Sequence, residues 1–241
     1  MAKNKLTVDK LYGKKKLILG LALLFGFLSA IIILVTYYGQ NVGSYSIRLD
    51  GSLEDRKVFI STDPEFSWYN SRLEADPVKN ANATSMRFIR TDICKATNGS
   101  YVGANKGYIS YTFYLKNMGA EAIDIDEIVQ ISSATQNLDD VSWLWYFEDD
   151  NSGTIYQKED TNIPSDWSGY LSDYPETVKF ESDTVILSKT IKNFMPNEVK
   201  KFTLIVWMES LDPNLSIDNS GGLIRFDVAF SIKRDTLWKR N

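Results

Sequence analysis

From Leu17 to Tyr38 the chain reads LILGLALLFGFLSAIIILVTYY, 22 residues without a charge. At about 1.5 Å per residue such a run makes a helix of about 33 Å, enough to cross a hydrocarbon core of about 30 Å. It is apolar on all sides and has no polar face to lie along a surface. Lys14, Lys15 and Lys16 abut its start, whereas Tyr37 and Tyr38 close it and the next cation is Arg48. Lysines on the near side place the N-terminus in the cytoplasm, and a tyrosine pair suits the outer interface. A cleaved signal peptide would carry a shorter apolar region of about 7–15 residues and a small-residue cleavage site. The bulky exit Ile31-Ile32-Ile33-Leu34-Val35 favours a retained anchor instead. The sequence thus predicts a basic cytoplasmic segment at 1–16, a transmembrane helix at 17–38 in contact with membrane lipid, and an extracellular domain at 39–241. The expected location is the plasma membrane, crossed once.

The outer part is acidic. The anchor region takes six lysines and Asp9, leaving 21 of the chain's 27 basic and 30 of its 31 acidic residues, a net charge of about −9. Such a domain repels phosphate backbones, so no nucleic-acid partner is expected. Cys94 is the single cysteine, which rules out an intrachain disulfide framework. Scarce cysteine also fits exported proteins of Gram-positive bacteria. Cys94 reads as a buried strand residue.

The segment after Gln40 alternates apolar and polar residues in about eight places, and strands are expected there. They are Ser44–Leu49, Lys57–Ile60, Tyr108–Leu115, Ala122–Ile131, Val141–Phe147, Thr184–Leu187, Lys201–Met208 and Leu223–Ile232. Asp50-Gly51 reads as a hairpin turn joining the first two, and Met195-Pro196-Asn197-Glu198 as another turn. Residues 63–106 and 148–176 are polar and read as long loops, which in compact domains are often functional. The expected fold class is all-β, a β-sandwich.

Two stretches resemble a known family. YISYTFYLKNMGAEAIDIDEIVQI at 108–131 is similar to the strand, Asn-x-Gly turn and strand of immunoglobulin-like modules in Gram-positive surface proteins. FMPNEVKKFTLIVWMESLDP at 194–213 is similar to the later turn and strand of those modules, with Asn197 where glycine is usual. Asparagine also accepts left-handed turn geometry. The arrangement is loosely similar to the TasA and camelysin matrix proteins. These resemblances imply an immunoglobulin-like or jelly-roll-like β-sandwich, and no catalytic residue.

The chain has no histidine, which removes Ser-His-Asp and Cys-His hydrolases and histidine-ligated zinc. It is not expected to be an enzyme. No cofactor is expected, with calcium as the one ionic candidate. Glu148, Asp149, Asp150 and Asn151 gather oxygen ligands beside Gly153, as a hard cation prefers, although the same residues also make an ordinary polar turn. Trp143 and Trp145, two apart on a strand, share a face. With Trp167, Tyr170 and Tyr174 they are candidates for contact with a ligand or partner. Core packing is the competing account for the strand pair. Two functions remain open: a membrane-anchored, non-catalytic surface protein with a structural, adhesive or assembly role, or an accessory or sensor subunit of a membrane complex. Partners would be another protein, a second copy of the chain, or cell-wall material.

Overall fold

The alternating stretches form strands where they were expected. The computed structural model describes residues 44–75, 77–78, 81–149, 151–158 and 177–233. The basic segment, the apolar run with Tyr37 and Tyr38, Asp150, Trp167, Tyr170 and Tyr174 lie outside the described residues. Among the described residues no helix is long and apolar enough to cross a membrane.

The first six strands are β1 (Ser44–Leu49), β2 (Val58–Ser61), β3 (Arg72–Glu74), β4 (Gly99–Val102), β5 (Tyr108–Asn117) and β6 (Ile123–Ala134). The other six are β7 (Ser142–Glu148), β8 (Thr154–Gln157), β9 (Thr177–Lys179), β10 (Val185–Phe194), β11 (Val199–Met208) and β12 (Ile224–Ile232). They make two sheets. The smaller has the order β10-β6-β12-β1-β3; the larger runs β2-β5-β11-β7-β8-β9, with β4 also on β5. β2 and β4 share one edge of β5, pairing with its last and first halves. β1 lies parallel to β12, so the chain enters and leaves the smaller sheet in one direction.

The main core sits between the sheets. Ile125, Val129 and Ile131 of β6, Phe226, Val228 and Phe230 of β12 meet Phe113 and Leu115 of β5 and Phe202 and Leu204 of β11. Phe113 stacks on Phe202 at 5.2 Å between ring centroids. β6 alternates buried and half-exposed positions, as a strand with one covered face does. β5 is buried on both faces, so the larger sheet has a third layer outside it.

That layer corrects the expectation of a loop over 63–106. The described part contains β3 in the smaller sheet, β4 in the larger sheet and, in the outer layer, a short helix, Thr91–Ala96. Cys94 is buried, but on that helix rather than on a strand. It joins Ile89, Tyr108, Trp143, Ile205 and Trp207 in a second core against the outer face of the larger sheet. The helix is pinned there by the Thr112 hydroxyl, which donates to the Cys94 carbonyl at 2.9 Å. Burial pushes the Cys94 thiol up, away from the reactive thiolate.

The Asp50-Gly51 hairpin is also corrected. β1 and β2 belong to different sheets, and Asp50 caps a short helix, Gly51–Asp55, by accepting from the Ser52 N–H at 2.9 Å. Aspartate before glycine serves a tight turn and a helix start equally well. Here Leu53 is buried in the core, and that burial decides between them. The turn at Met195–Glu198 is as expected: Asn197 has φ of 65°. It is an arch that carries the chain from one sheet to the other.

Candidate functional site

At the end of the sandwich where β1, β5, β7 and β12 begin and β11 finishes, the two sheets part and leave a cleft of about 660 Å³. Tyr45, Ile109, Val206 and Phe226 form its floor from strand residues, and Leu215, Ile217 and the glycines 221 and 222 come from the loop before β12. Clefts of roughly 300–1,000 Å³ hold one small ligand. The loop packs close because residue 222 is glycine: a Cβ there would meet the Leu138 side chain at 2.7 Å.

The polar groups around this cleft are turned inward on the protein itself. The Tyr45 hydroxyl donates to the Ile109 carbonyl at 3.1 Å, and burial pushes this phenol well above its ordinary range. Asn219 donates to the Gln136 carbonyl at 2.9 Å and accepts from the Ser216 N–H at 2.7 Å. The Trp207 indole donates to the buried Glu209 carboxylate at 2.9 Å. Glu209 also accepts from the Met86 N–H at 3.0 Å, so it ties the outer layer to the end of β11.

A second polar cluster joins the two sheets. Glu127, at an inward position of β6, is fully buried. It accepts from the Tyr146 hydroxyl at 2.9 and 3.0 Å and lies 3.5 Å from the Lys189 ammonium. Burial pushes the Glu127 carboxyl up to about 7, against the pull of Lys189 and Tyr146. Lys189 sits over the Tyr146 ring at 4.4 Å and pairs with Glu148. Lys200 reaches Glu148 at 2.8 Å. Burial alone would raise the Glu148 carboxyl, but Lys189 and Lys200 outweigh it and hold it below its ordinary value.

These contacts, with those that follow, engage three of the four expected calcium ligands, Asp150 lying outside the described residues. Glu148 is engaged by two ammonium groups. Asp149 accepts from the Lys201 N–H at 2.9 Å, and Asn151 accepts from the N–H groups of Glu148 and Gly153 at 3.2 and 3.1 Å. Among the described residues no group of three or more acidic or cysteine side chains is placed to hold a metal ion. Two acidic pairs elsewhere, Asp124 with Asp126 and Asp139 with Asp140, are likewise engaged. Asp124 caps the Asn193 N–H at 2.7 Å, Asp126 accepts from Thr190 at 2.6 Å, and Asp139 and Asp140 clasp Lys158.

Trp143 and Trp145 do share a face, and it is the face of the second core. Trp143 is 3 % exposed and donates to Asp212 at 3.0 Å, so its ring offers no open surface to a ligand. Trp145 is half-buried, packed 5.2 Å from the Phe147 ring. Neither lines the cleft. The residues that do were not singled out from sequence, because they come from the ends of separate strands. Glu127 had a signal, as the one charged residue in the inward series Ile123, Ile125, Glu127, Val129, Ile131.

No family model matches the chain. No curated protein matches it. Among solved structures, the chain is similar to the collagen binding domain of Erysipelothrix rhusiopathiae surface protein RspB, at 9% identity over 54% of this chain and 46% of that one, with a TM-score of 0.17. The match spans less than half of that chain's length, and a likeness this slight carries no argument.

Proposed function

We propose that this chain is a non-catalytic cell-surface protein. Residues 17–38 hold it in the plasma membrane, and its outer β-sandwich binds a partner through the cleft at one end. The carrying observation is the chemistry of that cleft. It is a ligand-sized, mostly apolar concavity, and the serines among its described lining, Ser142, Ser216 and Ser220, have no histidine to activate them, since the chain has none. The buried carboxylates Glu127, Glu209 and Asp212 are each bonded to side chains of the protein, as structural groups are. The lysine-flanked apolar run supports the anchor and its orientation.

Protease treatment of intact expressing cells tests this reading. Digestion of the outer domain, with an N-terminal tag left in the alkali-washed membrane, is expected. Release of the whole domain into the medium would mean cleavage of the N-terminal segment. Full protection would place the domain inside. Recovery of stoichiometric membrane proteins from mild detergent would favour the accessory-subunit alternative.

A further inference from the structure

Three lysines line up across the outer face of the larger sheet. Thr112, Tyr114 and Lys116 alternate onto one face of β5, the face on which Thr112 holds the Thr91–Ala96 helix. Lys201 of β11 is directly opposite Tyr114. It therefore shares that face and is the diagonal neighbour of Lys116, about 7–8 Å away. Lys95 reaches the same face from the helix.

Each of the three ammonium groups lies over a ring. Lys95 is 5.1 Å from the Phe147 centroid, Lys201 5.9 Å from Tyr114 and Lys116 5.2 Å from Phe66. Among the described residues none of the three is ion-paired, whereas Lys158, Lys189 and Lys200 all are. The carboxylates on this side are bonded elsewhere. Asp149 accepts from the Lys201 N–H and lies 3.4 Å from the Lys200 ammonium; Asp63 accepts from the N–H groups of Glu65 and Ser67; Asp92 pairs with Arg90. Like charges this close repel, and they stand without counter-ions in a segment that has 30 acidic to 21 basic residues.

The chemistry of the row narrows its occupant. An ammonium is a compact point charge suited to phosphate, and the row has no arginine fork to match a planar carboxylate. All three rings are buried, so they offer no open face on which bases could stack, as single-stranded nucleic acid requires. The lysine stems are half-buried along the rings, which leaves less freedom to lose on binding.

We infer that Lys95, Lys201 and Lys116 bind a linear, base-free phosphodiester polymer, one phosphate to each ammonium. None of the three lines the cleft, so this is a second site and stands whether or not the cleft is occupied.

The test titrates the full chain, in neutral detergent, into a fluorescent synthetic decamer of glycerol phosphate and reads anisotropy. Three phosphate contacts should make binding about 20-fold weaker when salt rises from about 50 to about 200 mM. Lys95→Gln, Lys116→Gln and Lys201→Gln should each weaken it several-fold and flatten the salt dependence by about a third. Lys201→Arg keeps the charge and should stay within about twofold of wild type, which tells lost charge from disturbed packing. Lys192→Gln on β10 of the other sheet, and Lys15→Gln in the basic N-terminal run, should also stay within about twofold. No binding at low salt, or an equal loss in either of these two variants, would overturn the inference. Equal affinity for polyglutamate would overturn the phosphate assignment, and tighter binding of oligothymidylate would make the partner a nucleic acid instead.

Discussion

The hydroxyl of Tyr146, on the larger sheet, donates to both carboxylate oxygens of Glu127, on the smaller sheet. A polar group thus bridges the two sheets within a mostly apolar interface. Burial dominates its titration, and the carboxyl lies at about 7 rather than its ordinary 4.5.

That shift sets a pH dependence with a definite sign. Between about 4.5 and 7 the folded chain keeps a proton that the unfolded chain has released, so stability falls as pH rises through this window. The loss is on the order of 3 kcal/mol. Glu127→Gln removes the titration and keeps an acceptor for Tyr146, so its unfolding midpoint should be nearly flat from pH 5 to 8. Urea unfolding of both proteins across that range checks it. A wild type more stable at pH 8 than at pH 5 would sink the account.

Asn117 is a second buried hub, at the end of β5. Its side-chain N–H groups donate to the carbonyls of Glu121 and Phe194 at 2.8 and 2.9 Å, and its oxygen accepts from the Gly119 N–H at 2.9 Å. Asn117→Ala would strip partners from the buried Phe194 carbonyl and two less buried backbone groups, and should cost about 2–4 kcal/mol. A Cβ on Gly119 would meet the Arg56 carbonyl at 2.4 Å, so Gly119→Ala should destabilise as well. Shifts in urea midpoint below about 0.5 kcal/mol would show that the turn is not a hub.

Much of this fold was legible because alternation is a local signal. All eight expected strands form, and the alternation within Ile125–Ile131 and Phe226–Phe230 matches their buried positions. Three kinds of feature were not. β3, β4, β8 and β9 have only three or four residues, too few to show a period. The helix carrying Cys94 owes its place to packing on Thr112, Ile205 and Trp207, which lie far away in sequence. The cleft is where strands end, and its walls come from segments as distant as Tyr45 and Phe226.

Asn197 has a φ of 65°, in the left-handed region that glycine enters without strain. Asn197→Gly relieves the left-handed strain but adds freedom to the unfolded chain, two effects of about 1 kcal/mol each. The net change should lie within about 1 kcal/mol. Asn197→Val, β-branched at the same angle, should destabilise by about 1–2 kcal/mol. Equal stability of the valine and glycine variants in urea would exclude a strain account.

Calcium provides a sharper test of the turn after β7. Glu148 would have to leave Lys189 and Lys200, and Asp149 the Lys201 N–H, before either could join an oxygen cage. A ligand that binds the folded state raises its stability in proportion to the logarithm of its concentration. Millimolar calcium, or a chelator, should therefore move the melting midpoint by less than about 1 °C. A progressive rise with calcium would restore the site.

The β-domain should fold without the apolar run. Both core clusters are built from residues between Tyr45 and Phe230, and the ladders of both sheets close within residues 44–232. Burial of this apolar interior is the main favourable term in folding. A chain beginning at Gln40 should then give a β-type circular dichroism spectrum and a single cooperative urea transition, with the slope expected for about 200 residues. A disordered spectrum would mean that the N-terminal segment supplies part of the folding energy. A β-type spectrum with a broad, non-cooperative transition would instead mean that the layer around Cys94 unfolds apart from the main sandwich.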